Sequence, residues 1–245
     1  MGGPFLRAVS ARLVLPEGES STIALAVCRG DSDIPRTDLG PEEIRRTFDF
    51  RNAKALQAYL RGRLAAKAAL RELRGGLGGP FEIVNGVFGR PLVQVPNADL
   101  GVSISHHADA AVAVAAPVGW PLGIDLAVID AKDVETIRSQ VSPEEESRLH
   151  ALGLAPEAAA ATLWAAKEAL SKVLGGGLGI GFEMLAISDA LGPHPVLRLR
   201  FKHVGHIEAD ILVGARRVIA LAMPYHAQLD WSGIAPLFDE ASDTA

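Results

Sequence analysis

A glycine-rich segment that follows a long helix-forming stretch near residue 75 occurs again near residue 176. With an offset of 101 residues, Gly75-Gly76-Leu77-Gly78 … Phe81-Glu82 falls on Gly176-Gly177-Leu178-Gly179 … Phe182-Glu183, with six identities in eight positions. Arg71 falls on Lys172 in the same alignment. The repeat predicts two similar halves rather than one continuous fold.

Each half has the same predicted order of elements. Helix-forming residues run from about 53 to 74 and from 156 to 174, and short β-rich pieces follow. We therefore expect an α+β fold of two similar α/β halves that form an internal pseudo-two-fold dimer, each a long helix packed on a small antiparallel sheet. The predicted division is 1–119, 120–229 and an acidic tail over 230–245.

Composition places the chain among globular proteins. Of 245 residues, 49% are hydrophobic and 22% are charged, which excludes disordered and fibrous classes. The single cysteine, Cys28, cannot form an internal disulfide. No stretch is long and apolar enough to span a bilayer, and the N-terminus lacks the pattern of a secretory signal. We expect a cytoplasmic protein with no membrane partner.

Positive charge is concentrated in one window of an acidic chain. The net charge is −5, yet residues 45–74 carry nine cations and two acids, a net charge of +7. Such a window is either a solvated helix face or a site for an anion. Binding of nucleic acid fits poorly, because the remainder of the chain is strongly acidic.

The sharpest local motif lies on the second long helix. Trp164, Glu168 and Lys172 share one row at helical spacing, with Lys167 beside them. A surface ion pair between residues four apart would give the same pattern. The apolar segment Gly123-Ile124-Asp125-Leu126-Ala127 contains one acid, which is costly to bury unless it is paired or binds a metal. Asp125 and Glu168 are therefore candidate oxygen ligands for Mg²⁺.

Two further motifs precede that segment. The alternating stretch Val102-Ser103-Ile104-Ser105-His106-His107 ends in a polar Ser-His pair, and Gly89-Arg90-Pro91 is a turn that presents a cation. The Ser-His motif has an alternative interpretation, a structural histidine that is hydrogen-bonded at the end of a strand.

Together these motifs resemble the phosphopantetheinyl transferases of the surfactin-synthetase type, the monomeric pseudo-dimeric class. That family has, in order, a Gly-Lys/Arg-Pro turn, a Ser-His strand end, a Gly-Ile/Val-Asp-hydrophobic-Glu strand and a Trp-x-x-Lys-Glu-Ala-x-x-Lys helix followed by glycines. The order and approximate spacing agree from Pro41 onward.

The resemblance implies a magnesium-dependent enzyme, with Mn²⁺ as an alternative metal. It would transfer the 4′-phosphopantetheine arm of coenzyme A to a serine of an acyl or peptidyl carrier protein and release 3′,5′-ADP. Fatty-acid, polyketide and nonribosomal-peptide carriers all stay open. An internal pseudo-dimer makes a monomer the expected state.

The resemblance also implies roles for individual residues. Asp125 and Glu168 fall on metal-ligand positions, and Glu168 and Lys172 on catalytic ones. Positions that contact coenzyme A, including its phosphates, are matched by six residues: Arg46, Arg90, Ser105, His106, Lys167 and Lys172. Arg46 falls on a position that approaches the 3′-phosphate, which would make the basic window an anion site.

One position departs from the family pattern. The second acid of the strand motif is replaced by Ala127, which cannot bind a metal. Water, or a side chain near His107, is expected to take its place. The departure keeps a second class of function open, a coenzyme A or carrier-binding module that has lost catalysis. A third alternative is a magnesium-dependent hydrolase of nucleotide pyrophosphates.

Overall fold

The protein divides into two compact units. A computed structural model describes residues 4–30, 34, 36–76, 81–94, 99–107, 109–193 and 195–238. Unit 1 comprises Met1–Trp120 with Gln228–Ala245, and unit 2 comprises Pro121–Ala227. The first boundary therefore lies one residue after the predicted one.

Unit 1 is a five-stranded antiparallel sheet with one long helix and a separate hairpin. Its elements are β1 (Phe5–Val14), β2 (Ser20–Arg29), α1 (Pro41–Thr47), α2 (Ala53–Leu73), β3 (Glu82–Asn85), β4 (Pro91–Gln94), β5 (Leu100–His107), β6 (Ala110–Pro117), β12 (Gln228–Leu229) and α6 (Ala235–Phe238). The sheet has the order β12–β1–β2–β6–β5, and β3 and β4 form a separate two-stranded sheet. The short β-rich pieces expected after α2 include 91–95, of which Val95 lies outside the described residues.

Helix α2 forms the core of unit 1 together with the small side chains of the sheet. Asn52 begins the helix by accepting a hydrogen bond from Ala55 N at 2.8 Å. Leu60 and Leu70 are buried against Ala24 and Ala113 of the central strands. Cys28 lies in the same core, and burial raises the pKa of its thiol to about 11, so it remains a small apolar residue at neutral pH.

The C-terminal segment is not the tail that its acidic composition predicted. β12 pairs with β1 through Leu13 and Leu229. Trp231, Ile234 and Leu237 are buried, and α6 packs on β1 and β2. Three apolar anchors thus attach residues 228–238 to unit 1, and counting charges overlooked them. The remainder of the predicted tail, 239–245, lies outside the described residues.

Unit 2 has a second five-stranded antiparallel sheet and a second long helix. Its elements are β7 (Gly123–Val128), α3 (Val134–Arg138), α4 (Pro143–Ala151), α5 (Pro156–Leu174), β8 (Ile187–Leu191), β9 (Val196–Phe201), β10 (Ile207–Val213) and β11 (Arg217–Pro224). The sheet has the order β7–β11–β10–β9–β8. α5 spans the predicted residues, with Pro156 in its first turn and Gly175 (φ +72°) after its last.

A glycine allows α5 to lie unusually close to β7. A Cβ at Gly123 would lie 2.1 Å from Ala169 O, which no side chain tolerates. Gly123, Asp125 and Ala127 alternate along β7, so all three side-chain positions lie on the face that packs against α5. Close packing of strand and helix therefore brings Asp125 near the functional row of α5.

The predicted fold class, α+β with helices on antiparallel sheets, is confirmed. Both units contain the same strand order, β2–β6–β5 in unit 1 and β7–β11–β10 in unit 2, with every neighbour antiparallel. In the glycine repeat, Leu77 and Gly78 lie outside the described residues, whereas Gly177–Gly179 form a 3₁₀ turn.

Candidate active site

Asp125 is a buried acid with a cationic partner. The residue is 5% exposed, and Oδ1 accepts a hydrogen bond from Lys172 Nζ at 2.7 Å. The same ammonium donates to Ile124 O at 2.7 Å. A buried carboxylate is tolerated only with such a partner, and here the partner lies on α5.

Glu168 is the second acid of the site, and one of its carboxylate oxygens has no hydrogen-bond partner. Its Oε1 is buried and accepts no hydrogen bond. Burial raises the pKa of Glu168 above its usual range, and the nearby Asp125 carboxylate raises it further, whereas Lys172 lowers it. An orphaned buried oxygen beside a second carboxylate marks a place that suits a cation or a proton donor.

The predicted row on α5 is therefore assembled against β7. Asp125, Glu168 and Lys172 interact with one another, and Trp164 lies one turn before Glu168 with its ring 5.2 Å from that of Phe182. Ala127 is 6% exposed and packs in the core of unit 2, on the same face of β7 as Asp125. Asp130 caps the 3₁₀ turn Ala131–Asp133 and pairs with Lys132.

The donor set suits a hard divalent cation. Carboxylate oxygens are the ligands that Mg²⁺ takes, usually one or two per site beside water and substrate phosphate. Asp125 supplies one carboxylate, and the buried, unpaired Oε1 of Glu168 supplies another. Within the described part of the chain, no group of three or more His, Cys, Asp or Glu side chains is placed to hold a metal. The residues present thus fit a metal with two protein carboxylates.

Lys167 occupies a different environment from the one we predicted. Its side chain is 1% exposed, and Nζ lies 2.9 Å from Glu145 Oε1 and donates to Phe182 O at 3.3 Å. The ammonium also faces the Phe182 ring at 5.4 Å from its centroid. These buried partners favour a structural role for Lys167 over the predicted phosphate contact, because an ammonium held in this way is not available to a ligand.

The candidate residues of unit 1 lie on β5, on α1 and in the turn before β4. Ser105 is buried in β5 and His106 is exposed next to it. A Cβ at Gly62 of α2 would lie 3.6 Å from the His106 ring carbon Cδ2, so the ring lies close to that helix. Arg46 is half-exposed on α1 and pairs with Asp49 at 2.8 Å.

Arg90 lies at the end of a strained turn. It is exposed immediately before β4, after Phe88 (φ +55°) and Gly89 (φ +76°). A left-handed backbone is uncommon for phenylalanine, and the Phe88 ring is 81% exposed. The turn therefore presents an aromatic ring and a cation together.

Much of the basic window is neutralised by acids that lie just outside it. Arg45 pairs with Glu42, Arg71 with Asp38, and Lys67 with the fully buried Glu43. Counting charges over 45–74 missed these three partners. The window as a whole is therefore less of an anion site than its composition predicted. Of the predicted coenzyme A contacts, Arg46 inside the window and Arg90 outside it are exposed.

Glu145 and Glu43 form buried ion pairs that sequence reasoning missed. Each is the third residue of its helix and accepts a hydrogen bond from the backbone N–H that precedes the helix, at Ser142 and Gly40 respectively, both at 2.8 Å. Each also binds a buried lysine that reaches a phenylalanine carbonyl. We call these two arrangements the clamps.

A signal for the clamps was present in the sequence. With an offset of 100, Ala65-Ala66-Lys67-Ala68-Ala69-Leu70 falls on Ala165-Ala166-Lys167-Glu168-Ala169-Leu170, with five identities in six positions. The offset of 101 fitted the glycine segments but separated the two lysines. Aligning the helices by themselves would have paired them.

Comparison with known protein families agrees with this geometry. Residues 121–222 match the family model of the 4′-phosphopantetheinyl transferase superfamily. The matched region covers nearly all of unit 2, including both acids and Lys172, and it supports phosphopantetheinyl transfer as the general activity. No curated protein matches the chain. Among the residues that the structure describes, no helix is long and apolar enough to cross a membrane.

Proposed function

We propose that this protein is a phosphopantetheinyl transferase of the surfactin-synthetase type. It transfers the 4′-phosphopantetheine arm of coenzyme A to a serine of an acyl or peptidyl carrier protein and releases 3′,5′-ADP. The observation that carries the proposal is the assembly of Asp125, Glu168 and Lys172 within the region that matches the superfamily.

In the proposed reaction the carrier serine hydroxyl attacks the phosphorus that bears the pantetheine arm. The bond from this phosphorus to the bridging oxygen of the diphosphate breaks, and 3′,5′-ADP leaves with that oxygen. Glu168 accepts the serine proton, a role that its raised pKa suits. Catalysis of this class depends chiefly on positioning and on neutralising phosphate charge.

Lys172 supplies positive charge to the leaving group. Two of its N–H bonds point to Ile124 O and Asp125 Oδ1. An ammonium has three donors, so the third is left for a phosphate oxygen. A Mg²⁺ or Mn²⁺ ion held by Asp125 and Glu168 would neutralise further charge on the diphosphate.

Four residues of unit 1 are proposed to bind coenzyme A. Arg46 and His106 would meet the 3′-phosphate, and Arg90 and Ser105 would contact other parts of the molecule. Arg46 and Arg90 are exposed cations, which suits contact with a multiply charged ligand. We further propose that the protein acts in the cytoplasm as a monomer.

One assay separates this function from its alternatives. The protein is incubated with coenzyme A, Mg²⁺ and apo-carrier proteins of the fatty-acid, polyketide and nonribosomal-peptide classes, and the products are weighed by mass spectrometry. We expect a phosphopantetheine adduct on a carrier together with 3′,5′-ADP. A pyrophosphate hydrolase would release 3′,5′-ADP without an adduct, and a binding module that has lost catalysis would give neither product.

A further inference from the structure

We propose that the Glu145–Lys167 clamp is a positioning device that fixes the Glu168 carboxylate against β7. The proposal deepens the proposed function, because it assigns a role in the same site to a residue that does not touch the reacting atoms. It rests on what holds Glu168, on what surrounds the clamp and on the second clamp in unit 1.

Glu168 is not held in place by its own hydrogen bonds. Its Oε1 has no partner, so the direction of the carboxylate is set by the rotation and depth of α5. Lys172 anchors one side of the helix through Asp125 and Ile124, and the close approach of Gly123 to Ala169 fixes its distance from β7. The side of α5 that faces α3 and α4 is held by separate contacts.

Lys167 provides that second anchor. It immediately precedes Glu168, so the two side chains leave the helix about 100° apart. Its ammonium is bound by Glu145 Oε1, which also accepts Ile187 N at 2.8 Å, while Glu145 Oε2 accepts Ser142 N. One carboxylate thus joins α4, α5 and the start of β8.

The Glu145–Lys167 ion pair lies beside a cavity, so its hold on α5 matters more than it would in a fully packed core. Glu145 and Lys167 line a cavity of about 1270 Å³ together with Trp164, Ile180 and Phe182. On that side Trp164 packs against Val134 and Ile137 of α3 and against Phe182, and beyond these contacts the cavity provides no further packed atoms that would resist a shift of the helix. Without the ion pair, α5 could therefore rotate toward the cavity and carry Glu168 away from Asp125. A displacement of about 1 Å is enough to lose roughly a hundredfold in rate.

Unit 1 contains a second clamp that serves as a matched control. Glu43 and Lys67 form the same clamp, with Phe81 O as the third member, but Ala68 occupies the place of Glu168. Breaking the unit 1 clamp should lower the free energy of unfolding as breaking the unit 2 clamp does. It should not displace an acid of the candidate site, because Ala68 stands in place of Glu168.

The experiment compares two matched double variants, Glu145→Gln with Lys167→Met and Glu43→Gln with Lys67→Met. Removing both charges together avoids leaving the glutamate or the lysine unpaired. In unit 1, Arg63 also loses Glu43, 3.6 Å away, but keeps its hydrogen bond to Asn85. Thermal unfolding identifies a temperature at which both are folded, and kcat and KM for coenzyme A are measured there. We expect the unit 2 variant to lose about tenfold or more in kcat with KM within about twofold. The unit 1 variant should keep kcat.

A second measurement does not depend on turnover. Binding of Mn²⁺ to the free protein, followed by electron paramagnetic resonance, should weaken about tenfold in the unit 2 variant and stay unchanged in the unit 1 variant. If the wild-type protein transfers no phosphopantetheine, the proposed function fails, and the Mn²⁺ measurement still decides the role of the clamp.

Two results would overturn the proposal. One is a folded unit 2 variant that retains kcat and Mn²⁺ affinity within about twofold of wild type. The other is an equal loss of kcat in both variants, which would mean that general destabilisation is the cause. If the unit 2 double variant does not fold, Lys167→Arg serves instead, since it keeps the charge and changes only the length and shape of the anchor. It should then lower kcat with KM preserved, and wild-type kcat in that variant would equally refute positioning.

Discussion

The two long helices carry almost the same six residues at their centres, yet only one of them belongs to the candidate active site. In α2 the segment 65–70 differs from the segment 165–170 of α5 by Ala68 in place of Glu168. Both helices are held by a buried lysine, a capping glutamate and a phenylalanine carbonyl. The scaffold is therefore shared, and the acid is not.

The neighbouring strands differ in the same way. β6 and β11 are each eight residues long and end in proline, and matching them places Ala26 of β2 on Asp125 of β7 and Cys28 on Ala127. Unit 1 thus has alanine at both positions where unit 2 has its acids, Ala26 for Asp125 and Ala68 for Glu168. Two substitutions on a repeated scaffold thus distinguish the half with an apolar helix–strand contact from the half whose two acids we propose as cation ligands.

The largest effect is expected from removing the acid that distinguishes the two helices. Glu168→Gln should lower transfer by 10²-fold or more, because it removes both a base and a carboxylate ligand. Single-turnover transfer to apo-carrier, followed by mass spectrometry, measures the loss. Ala68→Glu, the same acid placed in unit 1, is the matched control and should create no second activity. Retention of more than about a tenth of wild-type turnover in Glu168→Gln would mean that Glu168 is misassigned.

An intermediate effect tests the role proposed for unit 1. Arg46→Ala and His106→Ala should each weaken binding of coenzyme A by roughly tenfold, the loss typical of one charge-assisted hydrogen bond. Binding of 3′-dephosphocoenzyme A should barely change. Isothermal titration of both ligands makes the comparison, and equal losses for the two would refute recognition of the 3′-phosphate by these residues.

The sequence was most informative where a pattern repeated. The offset repeat and the helix-forming stretches predicted two α+β halves, and α5 begins and ends where expected, because helix propensity and glycine or proline signals act locally. The acids Asp125 and Glu168 could be paired from an apolar strand with one acid and a helix row. Their proximity depends on Gly123, whose missing Cβ lets β7 approach Ala169.

Long-range pairing is what the sequence did not reveal. Lys167 reaches Glu145, 22 positions earlier, and Lys67 reaches Glu43, 24 positions earlier, so a window of local charge cannot show either ion pair. The C-terminal residues 228–238 pair with β1 through contacts more than 200 positions apart. In each case the deciding interaction is tertiary, and composition alone favoured a different interpretation.

A smaller effect is expected at Ala127, where unit 2 lacks the second acid of its strand motif. Its side chain lies on the same face of β7 as Asp125. Ala127→Glu adds a negative charge beside two others, which should tighten binding of free metal by severalfold and lower the Mg²⁺ concentration for half-maximal activity. The product should not change. Cys28→Glu, at the matched position of unit 1, should leave the Mg²⁺ dependence as it is if that variant folds. An unchanged dependence in folded Ala127→Glu would contradict the proposed geometry.

The smallest effect is a change in stability that isolates Glu168 from the reaction. Burial and Asp125 raise the pKa of Glu168 in the folded protein, so the folded state binds the proton more tightly than the unfolded state. Stability contributed by this group is therefore present below the unfolded pKa and is lost as pH rises through the raised folded pKa.

Glu168→Gln should accordingly raise the melting temperature at pH 7 by roughly 1–4 °C without metal, and this gain in melting temperature should vanish at acidic pH. Thermal unfolding in the presence of a chelator, at pH 7 and at acidic pH, measures it. Ala68→Gln in α2 removes no charge and should show no such pH dependence. Equal melting temperatures for wild type and Glu168→Gln at both pH values would mean that the carboxyl is more hydrated than its buried, unpaired Oε1 indicates.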